Sequence, residues 1–410
     1  MHKPHMHDDR EATVRILLAH LGAAMIATGQ AAHEIEKELV AVAAQLGYPH
    51  IQVAVSPTGL ILSLRSGDPA AYESVSAPVR LDQASEVQRI RHQLMSNQLE
   101  PANALYQLSK LRDRPLRYPL WAVRLAWIMI SLGISLILQP GWANTALVFV
   151  CSIVVYALLE AAKQARILAN LLPTVAAFVV TLIVFVAADA GWVEGPLRTI
   201  LPPLAPLLPG ALIVTGMSEL AAGHMQTGTS RLAYGVVQLG VFAVGLIAAT
   251  TVLHVPVEML TNIRIDNIGW WAAPVGLILI ALGICLMESV ELSLAPSVLL
   301  VLLMAFAAQL GGQALGSAAI GGFFGAIAAN LGASVVEYFR PQSTRLVLFL
   351  PAFWLLVPGS LGLLGVTTLV ADPSHAIETG LEVATVICAI ALGLLVGSSI
   401  DFSSRNCMRG

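Results

Sequence analysis

The sequence predicts an all-α polytopic membrane domain of about ten transmembrane helices, in inverted five-span repeats, joined to an N-terminal cytoplasmic α+β domain. Three observations predict it. Apolar residues make up 57% of the 410 and charged residues only 11%, against about 25% charge in soluble domains. The charge is also uneven: residues 1–124 hold 13 Lys/Arg and 12 Asp/Glu of the 47 charged side chains. Beyond them, apolar runs of spanning length follow one another to residue 400.

Residues 1–120 read as the cytoplasmic domain. Val14, Leu17, Leu18, Leu21 and Met25 recur at helical spacing, and after Gly29 the pattern resumes at Ile35, Leu39, Val42 and Leu46. This predicts a long or broken helix ended by Gly47 and Pro49. Residues 51–55 and 59–64 are β-like runs around a Pro57-Thr58-Gly59 turn, and 75–81 is expected to add a strand. Residues 83–98 and 101–111 read as helices, the second opened by Pro101. His2, His5 and His7 read as a frayed tail rather than a metal site, and no metal or cofactor is expected. Glu34, Glu36 and Glu38 surround His33 without the spacing of a metal or catalytic motif, so a solvated helix face or regulatory surface is expected there.

Residues 121–402 read as the membrane domain, with spans near 121–138, 143–161, 169–188, 199–222, 232–253, 270–287, 294–311, 314–336, 346–370 and 381–400. Residues 403–410 form a cytoplasmic tail. Lys163, Arg166, Arg231, Arg340 and Arg345 then fall on the inside with Arg112, Arg114 and Arg117, while Arg198 and Arg264 fall outside. That is the positive-inside pattern, with both termini cytoplasmic. Cys151, Cys285 and Cys388 sit in apolar runs as small fillers. The first long apolar run starts near Trp121, so no secretory signal is expected. A net charge of −3 gives no basic face for nucleic acid.

Leu-Gly-Ile at 132–134 recurs at 282–284, and Pro-Gly at 209–210 recurs at 358–359. Two matches at nearly one offset predict a repeat, 121–253 and 270–400. Five spans per repeat make the halves inverted, an architecture of transporters with the substrate site at the interface of the halves. Pro202, Pro203, Pro206 and Pro209 break the fourth span, and Pro351 and Pro358 the ninth. Half-helices are then expected to start after Pro209 and Pro358, offering backbone N–H groups to a carboxylate. Pro209, Gly210, Thr215, Ser218, Pro358, Gly359 and Ser360 are the expected substrate-binding residues. Glu219 is an ionisable group in a span and hence a functional candidate. It is expected to carry a proton, lying either within the bilayer or at the cytoplasmic headgroups. Gln238, Gln309, Gln313 and Asn330 read as interhelical hydrogen-bonding residues, and Gly312/Gly316 and Gly321/Gly325 as close-packing pairs.

These motifs resemble the bacterial threonine/serine exporter family. Gly29, Glu36, Gly47, Pro57, Thr58 and Gly59 fill the positions of its N-terminal block. Pro209, Gly210, Glu219 and Gly223 fill those of its membrane motif. The resemblance covers nearly the whole chain, in the fused form of the family. It implies export of threonine and serine across the bacterial inner membrane, driven by the proton motive force. The expected partners are the lipid bilayer, a small amino acid and protons, with a homo-oligomer left open. No phosphate-binding GxxxxGK[ST] occurs, so a secondary transporter and not an enzyme is expected. Two alternatives remain: export of a dicarboxylate such as succinate, as the split form of the family suggests, and a membrane-anchored enzyme or sensor acting through the N-terminal domain.

Overall fold

The computed structural model describes residues 5–75, 77–260, 263–339, 345–356 and 376–400. The chain begins with α1 (His5–Ala27) and α2 (Ala32–Gln45), then β1 (Gln52–Ser56), β2 (Gly59–Ser63) and β3 (Ala71–Ser74), then α3 (Leu81–Met95) and α4 (Pro101–Ser109). Gly29 and Gly47 have φ of +82° and +96°, a region that a β-carbon disfavours. They end α1 and α2 where the pattern predicts. The strands form an antiparallel sheet in the order β1-β2-β3. Ser56 pairs with Gly59 around Pro57 and Thr58. A β-carbon on Gly59 would stand 2.6 Å from the Glu73 carbonyl of β3, so the hairpin needs glycine there.

Leu17, Leu18, Leu21 and Met25 of α1, Ile35, Leu39 and Val42 of α2, Leu60 and Leu62 of β2, and Val87, Ile90 and Leu94 of α3 bury one continuous core. Two expectations change. The third strand is 71–74, not 75–81: Pro78 has no N–H to give a ladder, and Val79 N–H instead bonds the Ala27 carbonyl. Helix α1 starts at His5, so His5 and His7 are helical rather than frayed.

Next come α5 (Leu120–Leu138), α6 (Trp142–Ala162), α7 (Arg166–Asp189), α8 (Pro196–Leu204), α9 (Gly210–Ala221), α10 (Met225–Val252), α11 (Ala272–Met287), α12 (Ala295–Ala314), α13 (Ala318–Phe339), α14 (Arg345–Leu356) and α15 (Ala376–Ser399). Among the described residues, seven helices are long and apolar enough to cross a membrane, eight if a bent pair is one span. Ten were expected. Of the other two segments, α11 has 16 residues, or about 24 Å of helix against about 30 Å of hydrocarbon. The ninth segment is described only through Leu356. The bent pair is Pro196–Leu207 with Gly210–Ala221, at 70°. The chain therefore breaks at Pro209, where the proline cluster predicts it.

Two close contacts recur at nearly the offset of the two sequence matches. A β-carbon on Gly133 of α5 would lie 2.6 Å from the Gly276 carbonyl and 2.7 Å from Ile280 of α11. One on Gly283 of α11 would lie 3.0 Å from the Ala126 carbonyl and 2.8 Å from Ile130 of α5. Positions 126, 130 and 133 correspond to 276, 280 and 283, so the contact is reciprocal and the helices antiparallel. Likewise Gly245 of α10 approaches the Thr174 carbonyl and Ala177 of α7, and Gly393 of α15 approaches the Phe323 carbonyl and Ala326 of α13.

The buried apolar residues of the membrane helices fall mainly into two clusters. One holds Cys151, Val180, Phe185, Ile200, Leu201, Phe242 and Leu246 from α6 to α10. The other holds Ile280, Val301, Ala326, Leu348, Phe353 and Ile390 from α11 to α15. Ile213 and Val214 of α9 join the second cluster, so the half-helix after the break packs with residues of α11 to α15. Cys151 and Cys285 are buried fillers, but Cys388 is exposed on the outer face of α15.

Candidate functional site

Helices α9 and α10 form a hairpin whose two arms touch at glycines. A β-carbon on Gly216 would sit 2.8 Å from the Gly228 carbonyl, and one on Gly228 would sit 2.7 Å from the Gly216 carbonyl. Gly223, with φ +89°, ends α9. The N–H of His224 then bonds the Glu219 carbonyl and that of Gly223 the Leu220 carbonyl, closing the last turn. This leaves Glu219 one turn from the end of α9. Arg231 lies on α10, and long helical side chains lean back toward the helix start. It reaches Glu219 with Nη1 3.0 Å from Oε1.

Glu219 is wholly buried and Arg231 is 6% exposed. What covers them is the turn between α1 and α2. The Ala32 N–H donates to Glu219 Oε1 at 2.8 Å, and both terminal nitrogens of Arg231 donate to the Gln30 carbonyl at 3.4 Å. Ala32 is the first residue of α2, behind Ala31, which gives no side-chain cap. Glu219 supplies the missing acceptor and sets a negative charge at a helix start, where the dipole favours it. Glu219 Oε2 has no hydrogen-bond partner among the described residues.

Around this pair lies a polar seam. The rings of His33 and His224 are 5.9 Å apart, and His224 Nδ1 is 3.8 Å from Glu36 Oε2. Burial lowers the His33 pKa and His224 adds to that, against Glu219 and Glu36. Burial raises Glu34, opposed by Arg345. It also raises Glu38, which lies 3.1 Å from Arg91 and accepts from Gln30 Nε2 at 2.9 Å. The expected solvated face is therefore corrected. Glu34 and Glu38 are half-buried and Glu36 bonds toward Val55 N–H at 3.4 Å, because α2 turns this side toward the membrane helices and its own neighbours.

A second joint lies along the seam. Glu288, just after α11, accepts from the Leu81 N–H at 3.1 Å, and its carbonyl from the Asp82 N–H at 3.3 Å. Burial pushes this carboxyl up to about 7. Tyr118 Oη donates to the Val290 carbonyl at 2.9 Å. The α9–α10 turn, the α11–α12 turn and the region around Arg345 thus share one end of the helical body, against the N-terminal segment.

The expected site residues separate. Pro209 and Gly210 are buried at the break. Ser218 is buried and donates to the Thr215 carbonyl at 3.2 Å, while Thr215 is half-buried. Pro358, Gly359 and Ser360 lie outside the described residues. Glu219 sits near the end of α9, under the N-terminal segment. Arg231, assigned to an inside loop by charge counting, is instead inside α10. Asn330 donates to the Leu394 carbonyl at 3.4 Å and accepts from Arg345, whereas buried Gln238 Oε1 has no partner among the described residues. Sequence reasoning missed Arg231, Gln30, Ala32 and Glu288. One signal was present: α2 starts without a capping residue.

No curated protein and no solved structure matches the chain. A family model described as "ThrE: Putative threonine/serine exporter" matches residues 16–253. Those residues run from α1 to one residue past α10, and so include the α1–α2 turn, the break at Pro209, Glu219 and Arg231. With more than half of its length matched, the chain belongs to the threonine/serine exporter family.

Proposed function

We propose that this protein is a secondary exporter of threonine and serine in the bacterial inner membrane, coupled to proton entry through Glu219. The observation that carries the reading is the placement of Glu219. It is a fully buried carboxylate, on the half-helix that follows the break and packs across to the second half. A carboxylate on an element shared by two halves can change its surroundings when the halves move, which is what coupling a proton to transport requires. The reciprocal α5–α11 contact and the matched glycine contacts on α10 and α15 support inverted repeats. The shared end of the seam supports ten alternating spans, with the N-terminal segment and both termini cytoplasmic.

Glu219 and Arg231 balance each other's charge, which favours a zwitterion over a dicarboxylate. Against the alternative in which the N-terminal segment acts alone as an enzyme or sensor, Glu36 and Glu38 are held by Val55, His224, Arg91 and Gln30. In proteoliposomes loaded with labelled threonine, an imposed proton gradient should accelerate efflux and an uncoupler should abolish the acceleration. Glu219→Gln should lose gradient-driven efflux by at least tenfold. Efflux indifferent to both the gradient and the substitution rejects proton coupling through Glu219.

A further inference from the structure

The Gln30–Ala32 backbone meets Glu219 and Arg231 in an unusual way. A backbone N–H points at the carboxylate and a backbone carbonyl at the guanidinium. An α-amino acid carries the same two polarities about one α-carbon: an ammonium donor and a carboxylate acceptor. We propose that Glu219 and Arg231 form the head-group site for an α-amino acid, and that the Gln30–Ala32 turn fills this site as a built-in surrogate that substrate must displace. The inference rests on the transport reading above and adds to it a binding site and a plug.

The surrogate fits less well than an amino acid would. One peptide N–H reaches Glu219 Oε1, and Oε2 remains buried and unpartnered among the described residues. An ammonium brings three donors and can serve both oxygens. Arg231 turns both terminal nitrogens to one carbonyl oxygen, each at 3.4 Å, with Nη1 also 3.0 Å from Glu219 Oε1. A carboxylate would offer two oxygens matched to the guanidinium fork and a full charge. A zwitterion therefore sets a full opposite charge against each member of the pair, where the turn offers only peptide dipoles. The plug can seat because Gly29 lets the chain turn sharply before it. Ala32 is itself buried in the core of the N-terminal segment, so the turn withdraws together with that folded core rather than alone.

The test uses the full chain in proteoliposomes. Hydrogen exchange of the backbone at 28–35 is measured with and without saturating L-threonine. Displacement predicts faster exchange at Ala32 with threonine, serine or glycine. No acceleration is expected with lactate, which lacks the ammonium, or with ethanolamine, which lacks the carboxylate. Unchanged or slower exchange with threonine overturns the plug, and equal effects of lactate overturn the head-group assignment. Ala32→Pro is the companion variant. Proline is accepted at the first helical position, and Ala31, at φ −73° and ψ 144°, already has the conformation that a following proline requires. The variant removes the N–H and sets a methylene against Glu219. It should bind threonine at least fivefold more tightly than the parent; equal or weaker binding by a folded variant overturns the plug. Threonine flux in the same vesicles tests transport separately. Flux without an exchange response defeats the plug alone, and an exchange response without flux defeats transport alone.

Discussion

Glu219 and Arg231 show how much one residue's setting depends on its partner. Burying an ion pair costs most of what the attraction returns, but deleting one member strands the other. Arg231→Met should therefore lower stability by about 3–5 kcal/mol, read as thermal unfolding in detergent. Adding Glu219→Gln should restore most of that loss. A double variant no more stable than the single one would show that Glu219 draws its compensation elsewhere. Proline spacing locates the break before Glu219, and scarcity of charge singles out the carboxylate itself. Neither reveals its partners: Ala32 is 187 positions away in the chain, and periodicity reports that a face is buried, not against what. The uncapped start of α2 is the trace that such a partner leaves in the sequence.

At the scale of elements, the α9–α10 hairpin is held by contact between backbones at Gly216 and Gly228. Gly228→Val would put carbon atoms where the Gly216 carbonyl and the Leu220 N–H now lie. The helices would have to separate, at about 1–3 kcal/mol, and the Glu219–Arg231 pair would part with them. Gly240, on the same helix, has nothing within 4 Å of its β-carbon position. Gly240→Ala should leave stability within about 1 kcal/mol of the parent. Comparing the two by thermal unfolding separates crossing from propensity, and equal effects would deny the crossing its role. Helix existence was legible because hydropathy and proline act locally. The third strand was not, because Pro78 and the Ala27 carbonyl decide it through the path of the chain.

On the scale of the molecule, the N-terminal segment rests on the membrane helices through two carboxylates, Glu219 at the start of α2 and Glu288 at the start of α3. Glu288 faces Leu81 N–H, Asp82 and Arg80, which itself pairs with Asp82 at 3.0 Å. Burial dominates and, with Asp82, outweighs Arg80 and the Leu81 N–H, so the carboxyl rises from 4.5 to about 7. The docked form thus keeps a proton that the undocked form releases. Docking at this joint is strongest below pH 4.5, weakens by about 1.4 kcal/mol per pH unit up to about 7, and is level above. Hydrogen exchange at 80–84 should accelerate across that window, beyond its intrinsic pH dependence, and Glu288→Gln should flatten the response. A parent profile already flat would remove Glu288 from the joint. The positive-inside pattern gives Glu288 no weight, because it asks only about Lys and Arg. The fold class was legible because the chain divides its charge so unevenly between its two parts.

The connection from Arg114 to Pro119, between the N-terminal segment and α5, gives the plug a further property. A segment tethered this closely meets its target at an effective concentration on the order of millimolar, whatever the number of copies in the membrane. Free amino acid therefore competes with a rival whose concentration never changes. Flux through such a protein stays low until substrate outweighs the tether, then rises. The weak fit of the turn to Glu219 and Arg231 sets where that onset falls, so lengthening the connection should move it to lower substrate without altering either residue.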